Sequence, residues 1–233
     1  MRSRNTFKKY IPGLTFLAIA ASTVAMGFTN NLNLYIHPRY IVFTFIFAII
    51  GIVLYVAGRS YSDKAKDHPH SHISLFTACL CSGFIAVIIL VPPTTLSSRT
   101  ATNRTSNVSN RLPERNVSLA RNTTSIKMED WVSLLSQQSS AKLVVGKEAK
   151  VSGFVLPKAG ENDRLLVARF VVTCCAVDAS PIYLEARYPE WSSKVVVDDW
   201  VEVSGKFVEV NGVVILDVDN LVEIQRPDSP YAY

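Results

Sequence analysis

Three long apolar runs dominate the first part of the chain, at residues 11–28, 41–57 and 73–91. None of them contains Asp, Glu, Lys, Arg or His. A helix needs about 17–25 residues to cross the ~30 Å hydrocarbon layer of a bilayer, and backbone in lipid must satisfy its own hydrogen bonds. We therefore predict a membrane domain over residues 1–91 that contains three transmembrane helices.

The first apolar run also resembles a secretory signal peptide. Four basic residues precede it, at Arg2, Arg4, Lys8 and Lys9, as in the charged start of such peptides. The run is long, however, and it ends at Gly27-Phe28 without a clear cleavage site, so retention in the membrane is favoured. Cleavage stays open as the alternative.

Basic residues in the short flanks predict the orientation. The N-terminal flank and the second loop (58–72) carry seven Lys or Arg, whereas the first loop (29–40) carries one. Cytoplasmic loops hold the excess of positive charge. We therefore expect a multi-pass protein of the plasma (inner) membrane, in contact with lipid, with a cytoplasmic N-terminus and an extracytoplasmic C-terminal domain.

Composition changes twice after the membrane domain. Residues 92–125 are rich in Ser, Thr, Asn and Arg and show no apolar periodicity, which predicts a flexible linker. Residues 126–233 have the pattern of a soluble domain. A short amphipathic helix, with Met128, Trp131 and Leu135 on one face, precedes several runs rich in Val, Ile and Phe.

These later runs predict an all-β domain. Asn211-Gly212 between the last two runs is a strong hairpin signal, since both residues accept positive φ at low cost. Five short strands that end in a tight hairpin indicate an OB-like small Greek-key barrel, with an open sandwich as the alternative. The expected strands are 150–156, 164–173, 182–187, 200–210 and 213–225.

Charge argues against nucleic acid as a partner of this domain. Residues 128–233 contain ten basic and sixteen acidic residues, a net charge of −6. Single-stranded nucleic acid is bound by a basic groove with stacking aromatic side chains, and phosphate would be repelled here. We expect no nucleic-acid partner.

No catalytic constellation is evident in the sequence. All four histidines, at positions 37, 68, 70 and 72, lie in the membrane half of the chain. A Ser-His-Asp or Cys-His site in the soluble domain would therefore need a histidine from elsewhere. We predict that the protein is not an enzyme, and no cofactor is certain.

Cys174, Cys175 and Asp178 form the strongest candidate site. Thiolates with a carboxylate suit zinc or a similar divalent ion. Neighbouring side chains of a regular strand point to opposite faces, so joint ligation would need a bulge or turn, which the following Asp and Pro181 allow. A vicinal disulfide and simple packing of the two cysteines are the alternatives.

His68, His70 and His72 form a second candidate metal site. Alternate histidines in an extended loop place their imidazoles on one side, as a metal-collecting tract requires. Three histidines are few for such a tract, and an ordinary solvated loop is the alternative.

The N-terminal spans and the His-bearing loop before the last of them give the chain a resemblance to the YcgQ-like bacterial family of permease accessory subunits. Three further segments match: residues 166–178, with Arg169-Phe170 and Cys174-Cys175, residues 198–205, and the tail Pro227–Tyr233. The resemblance covers nearly the full length and implies a C-terminal OB-like domain that works beside a multi-span permease in metal-related settings. It also implies that Cys175 and Asp178 occupy family motif positions.

These observations lead to two functional hypotheses. The first is a non-enzymatic, membrane-anchored accessory subunit of a permease, related to metal-ion transport, with an extracytoplasmic β domain. The alternative is a stand-alone membrane-tethered module that binds metal or carries out thiol redox chemistry.

Overall fold

The computed structural model describes residues 3–62, 83, 94–104 and 126–233. It divides into two compact units, Met1–Thr94 and Thr95–Tyr233. The predicted third span (73–91), apart from the helical Gly83, and His68, His70 and His72 lie outside the described residues.

The first unit contains a helical hairpin. Helix α1 (Ser3–Phe28) and helix α2 (Pro38–Ser62) are joined through a short 3₁₀ turn, Asn31–Leu34. Aromatic contacts hold the two helices together: the ring centroids of Phe16 and Tyr55 lie 5.9 Å apart, and those of Phe28 and Phe45 lie 6.0 Å apart.

One described helix is long and apolar enough to cross a membrane, over Pro38–Gly58. Its large side chains face outward, with Val42, Phe47 and Leu54 each at least 64% exposed. A helix that is apolar on all sides is typical of non-aqueous surroundings. The apolar part of α1, Thr15–Phe28, is shorter. The structure thus provides one candidate span within the described residues, and the three-span anchor stays a prediction.

The second unit is a closed β-barrel with added helices. Helix α3 (Ser98–Arg104) comes first in this unit. Two further helices, α4 (Met128–Ser136) and α5 (Gln138–Val144), precede the strands. The strands are β1 (Glu148–Pro157), β2 (Arg164–Val171), β3 (Ser180–Arg187), β4 (Trp200–Val210), β5 (Val213–Glu223) and β6 (Tyr231–Ala232). The five predicted strands and the helix at Met128 are therefore confirmed, while β6 was not predicted.

Strand pairing identifies the barrel as OB-like. Strand β1 pairs with β4 over residues 148–154 and with β2 over residues 154–157, so Phe154 pairs with both strands. The circle closes through β2–β3, a short parallel β3–β5 pairing and the β4–β5 hairpin. A five-stranded barrel of this order matches the OB-type Greek key. The small strand β6 then adds parallel to β2.

Alternate residues along the strands contribute to two apolar layers, one inside the barrel and one on its outer face. The barrel interior is filled by residues such as Val167, Leu184 and Phe207, and Trp131 of α4 packs on Phe207 with ring centroids 4.9 Å apart. Side chains of the opposite parity, including Phe154 and Phe170, form a second layer outside the barrel. The Asn211-Gly212 turn has positive φ at both residues, as the hairpin prediction required.

The outer layer is covered by a segment that the sequence placed in the linker. Helix α3 (Ser98–Arg104) packs there through Ala101, which is fully buried. The backbone amide of Leu96 donates to the hydroxyl of Tyr231 in β6 at 3.3 Å. The predicted flexible linker 92–125 therefore needs revision at residues 98–104, because an otherwise polar segment buries one small side chain and makes specific hydrogen bonds. Residues 105–125 lie outside the described part.

Candidate metal and thiol site

The loop between β2 and β3 holds the strongest group of ligand atoms. Cys174, Cys175 and Asp178 each offer one ligand atom, and these atoms all lie within 4.8 Å of one another. Cys174 is exposed, and the other two residues are half-buried. The candidate site sits on an accessible loop of the barrel, so an ion could reach it from solvent.

Asp178 creates the turn that brings the two cysteines together. Its carboxylate accepts hydrogen bonds from the backbone amides of Thr173 at 3.0 Å, Cys174 at 2.6 Å and Cys175 at 3.3 Å. Its own amide donates to the carbonyl oxygen of Cys175 at 3.0 Å. A short polar side chain that binds neighbouring backbone groups is a common way to close a turn.

The turn brings the side chains of Cys174 and Cys175 together, which a regular strand would not do. In a regular strand, Cys174 and Cys175 would point to opposite faces. Here their Sγ atoms lie 3.6 Å apart, which is close to the separation of two sulfur ligands in a tetrahedral zinc site with Zn–S bonds of about 2.3 Å. Both cysteines are free thiols.

The carboxylate controls the ionisation of the first thiol. The hydrogen bond from the Cys174 thiol to Asp178, together with the contact with Cys175, raises the pKa of Cys174 to about 12. Partial burial opposes ionisation of Asp178, but hydrogen bonds from Cys174 and from three backbone amides lower the pKa of this carboxyl. At neutral pH the loop thus holds an ionised Asp178 beside a protonated Cys174 thiol.

Arg104 of α3 is a neighbour of this site that the sequence did not reveal. Its Nη1 donates to the carbonyl oxygen of Ala179 at 2.7 Å and, more weakly, to that of Ala176 at 3.4 Å. These two alanines directly follow Asp178 and Cys175. Arg104 stands in a Ser/Thr/Asn-rich tract with no apolar periodicity, so no sequence signal connected it to a loop more than 70 residues away.

Among the described residues, the aromatic side chains at the centre of the barrel's outer face are covered. Phe154 and Phe170 stack there with ring centroids 5.5 Å apart, underneath α3 and the tail. Arg169 lies over Trp200 at 5.6 Å and donates to the carbonyl oxygen of Ser229 at 3.2 Å. Burial lowers the pKa of Arg169. The protein's own segments therefore fill the apolar layer on this face.

Residues 101–233 match the family model of the DUF1980 C-terminal domain. The chain belongs to this family. The match begins inside α3 and runs through the tail, so the DUF1980 C-terminal domain includes Arg104, the cysteine loop and β6 as well as the barrel.

Several solved structures resemble parts of the DUF1980 chain. The hypothetical protein ygiW from E. coli has a TM-score of 0.26 and 14% identity, covering 37% of this chain and 85% of its own. An OBody bound to hen egg-white lysozyme has a TM-score of 0.25 and 14% identity, covering 35% and 83%. Asparaginyl-tRNA synthetase from Pyrococcus horikoshii has a TM-score of 0.26 and 14% identity, covering 45% and 25%. No curated protein sequence matches the chain.

Proposed function

We propose that the protein is a non-enzymatic, membrane-anchored accessory subunit of a multi-span permease, and that its OB-like domain binds one thiophilic divalent ion. Zinc fits the ligand set best. The observation that carries the metal-binding proposal is the convergence of Cys174, Cys175 and Asp178, with all ligand atoms within 4.8 Å. The permease partner follows from the apolar N-terminal runs and the YcgQ-like segments.

The ligand set favours an exchangeable ion over a permanent structural one. Structural zinc sites are closed by four protein ligands, whereas three protein ligands leave one position for water or another molecule. The three ligand residues belong to neither apolar layer, and Cys174 is exposed. An ion held in this way can be handed on, as transfer to a permease requires.

The thiol-redox module is the second candidate, and the 3.6 Å separation of the two sulfur atoms favours it. Reactive cysteines, however, depend on a lowered pKa, because the thiolate is the nucleophile. Asp178 acts in the opposite direction on Cys174. The third convergent ligand atom, from Asp178, favours metal binding, because thiol redox chemistry needs only the two sulfur atoms.

Cobalt titration of the full-length protein in detergent tests metal binding. Co²⁺ is a spectroscopic substitute for zinc, and we expect thiolate-to-cobalt charge-transfer absorption at one equivalent, with release of protons because thiols must ionise to ligate. Cys175→Ser should weaken binding more than Cys174→Ser, since Cys175 stands at the YcgQ-like Cys-x-x-Asp position.

Two controls separate this loop from other ligands of the chain. Replacing His68, His70 and His72 by Ala tests the second candidate site, and replacing Cys79 and Cys81 by Ser removes the remaining thiols. The charge-transfer band should survive both changes. Absence of the band in the reduced wild-type protein would refute metal binding, and a mass two units low that returns on reduction would then support the vicinal disulfide.

The permease partner is tested separately. Affinity purification of the full-length protein from mild detergent should recover a multi-span permease encoded beside it in stoichiometric amount. Recovery of the protein alone, with the metal site intact, would favour the stand-alone module.

A further inference from the structure

Helix α3 is clamped to the barrel at both ends. At its beginning, the backbone amide and hydroxyl of Ser98 donate to the two carboxylate oxygens of Asp198, at 2.6 and 2.7 Å. At its end, Arg104 donates to the loop carbonyls of Ala179 and Ala176. The fully buried Ala101 lies between the two clamps.

The second clamp acts on the backbone that carries the ligands. Ala179 directly follows Asp178, and Ala176 directly follows Cys175. A backbone shift of Asp178 relative to Cys175 therefore changes the separation of the two oxygen atoms that Arg104 binds.

Ion binding favours a more compact arrangement of the three ligand atoms. A tetrahedral zinc ion with bonds of about 2.0–2.3 Å brings its ligand atoms to within about 4 Å of each other. The two sulfur atoms already satisfy this, at 3.6 Å, while the complete ligand set spans up to 4.8 Å. We therefore expect an ion to draw the carboxylate of Asp178 toward the sulfur atoms.

We propose that Arg104 couples ion binding at the Cys174–Asp178 loop to the docking of α3 on the barrel. This inference rests on the proposed metal-binding function and adds regulation of the same site. In the sequence, α3 begins seven residues after the predicted third span. The loop thereby acts on the chain segment that leads to the membrane anchor, the part of the protein that would contact a permease.

The link between the two events is geometric, because the carbonyl oxygens that Arg104 binds belong to the residues directly after Cys175 and Asp178. The contracted loop and the docked helix therefore favour each other through geometry, and by thermodynamic reciprocity each stabilises the other by the same factor.

Hydrogen exchange on the full-length protein in detergent tests the coupling, with Zn²⁺ as the probe. The readout is a peptide covering residues 97–104, which includes the amides of Thr100 and Ala101 that donate to the Ser97 carbonyl. Saturating zinc should slow its exchange by about tenfold, within the usual range of coupling between two sites. Arg104→Met should abolish this zinc-dependent difference and weaken zinc binding by a similar factor.

Two further variants separate positioning from general stability. Arg104→Lys keeps a donor that can reach one carbonyl and should restore part of the zinc-dependent difference. Ser98→Ala loosens the other clamp, so it should speed exchange with and without zinc while preserving the difference between the two.

Three results would overturn the coupling. They are unchanged exchange of residues 97–104 when zinc binds the wild-type protein, an unaltered zinc-dependent difference in Arg104→Met, and loss of the difference in Ser98→Ala to the same extent as in Arg104→Met. Each of these leaves the metal-binding proposal standing. Failure of the wild-type protein to bind zinc at all would instead refute the proposed function on which the coupling rests.

Discussion

The Asp198 carboxylate accepts two hydrogen bonds from Ser98, one hundred residues earlier in the chain, at 2.6 Å from the amide and 2.7 Å from the hydroxyl. Asp198 has a φ of 75°, a left-handed conformation that Asn and Asp tolerate better than most residues. The two residues fix the start of α3 on the barrel.

Asp198→Ala should loosen this attachment. It removes both acceptors and leaves a strained backbone position, so we expect the free energy of unfolding to fall by about 1–2 kcal/mol. Thermal denaturation in detergent measures the change. Asp198→Asn, which keeps one acceptor oxygen, should recover part of the loss, and the exposed Asp219→Ala serves as a control with no effect. Equal stability of Asp198→Ala and wild type would contradict the role of this contact.

The reactivity of Cys174 should depend on Asp178. Because the pKa of this thiol is raised to about 12 from an ordinary value of 9.0, its alkylation by iodoacetamide should still be rising at pH 10. Asp178→Asn removes the negative charge, and the rate at pH 7.5 should increase by about tenfold or more, since each unit of pKa is a tenfold change in thiolate. Peptide mass spectrometry resolves Cys174 from Cys175, and Asp219→Asn is the charge-matched control. A slower rate in Asp178→Asn would refute the assignment.

The same interaction predicts a pH dependence of stability. The folded Cys174 thiol keeps its proton to a higher pH than an unfolded one, so its contribution is complete below about pH 9 and is lost as pH rises toward about 12. Metal-free wild-type protein should therefore lose more stability across this range than Cys174→Ser. Parallel stability profiles would show that the thiol does not contribute.

Gly205 should not tolerate a side chain. It lies at the register shift between β4 and β5, where a Cβ would collide with the carbonyl of Asp217. Gly205→Ala should destabilise the domain by about 2–3 kcal/mol, as overpacking does elsewhere. Gly212→Ala is the comparison, because that residue has positive φ but open space around it, and should cost about 1 kcal/mol. The reverse order, measured by thermal melting, would contradict the tight β4–β5 approach.

Reporter fusions test the predicted orientation. A reporter that folds only in the cytoplasm should be silent when fused after Tyr233 and active when fused at Asp67, because basic residues concentrate in the N-terminal flank and second loop. Activity at Tyr233 with silence at Asp67 would show that the basic residues do not set the topology.

Local pattern was sufficient for the five barrel strands, the helix at Met128 and the final hairpin. Alternation of apolar residues fixes strand type and buried face over a few residues, and Asn211-Gly212 specifies its turn through backbone conformations that these residues adopt at low cost. Residue chemistry likewise identified Cys174, Cys175 and Asp178 as candidate ligands. The sequence by itself thus determined these elements and the candidate ligand residues.

The tertiary structure decided what these elements contact. The apolar alternation of a strand does not specify which strand it pairs with. The closure of the barrel through Phe154 and the parallel β3–β5 pairing therefore depend on contacts between distant segments. The turn that places both sulfur atoms on one side depends on the hydrogen bonds that Asp178 accepts from the loop backbone. Helix α3 has a single buried side chain, Ala101, which leaves no periodic signal in its sequence. Its docking covers the outer apolar layer of the barrel, and Arg104 donates hydrogen bonds to the loop carbonyls. Both contacts depend on the folded barrel, so no local sequence pattern indicates them.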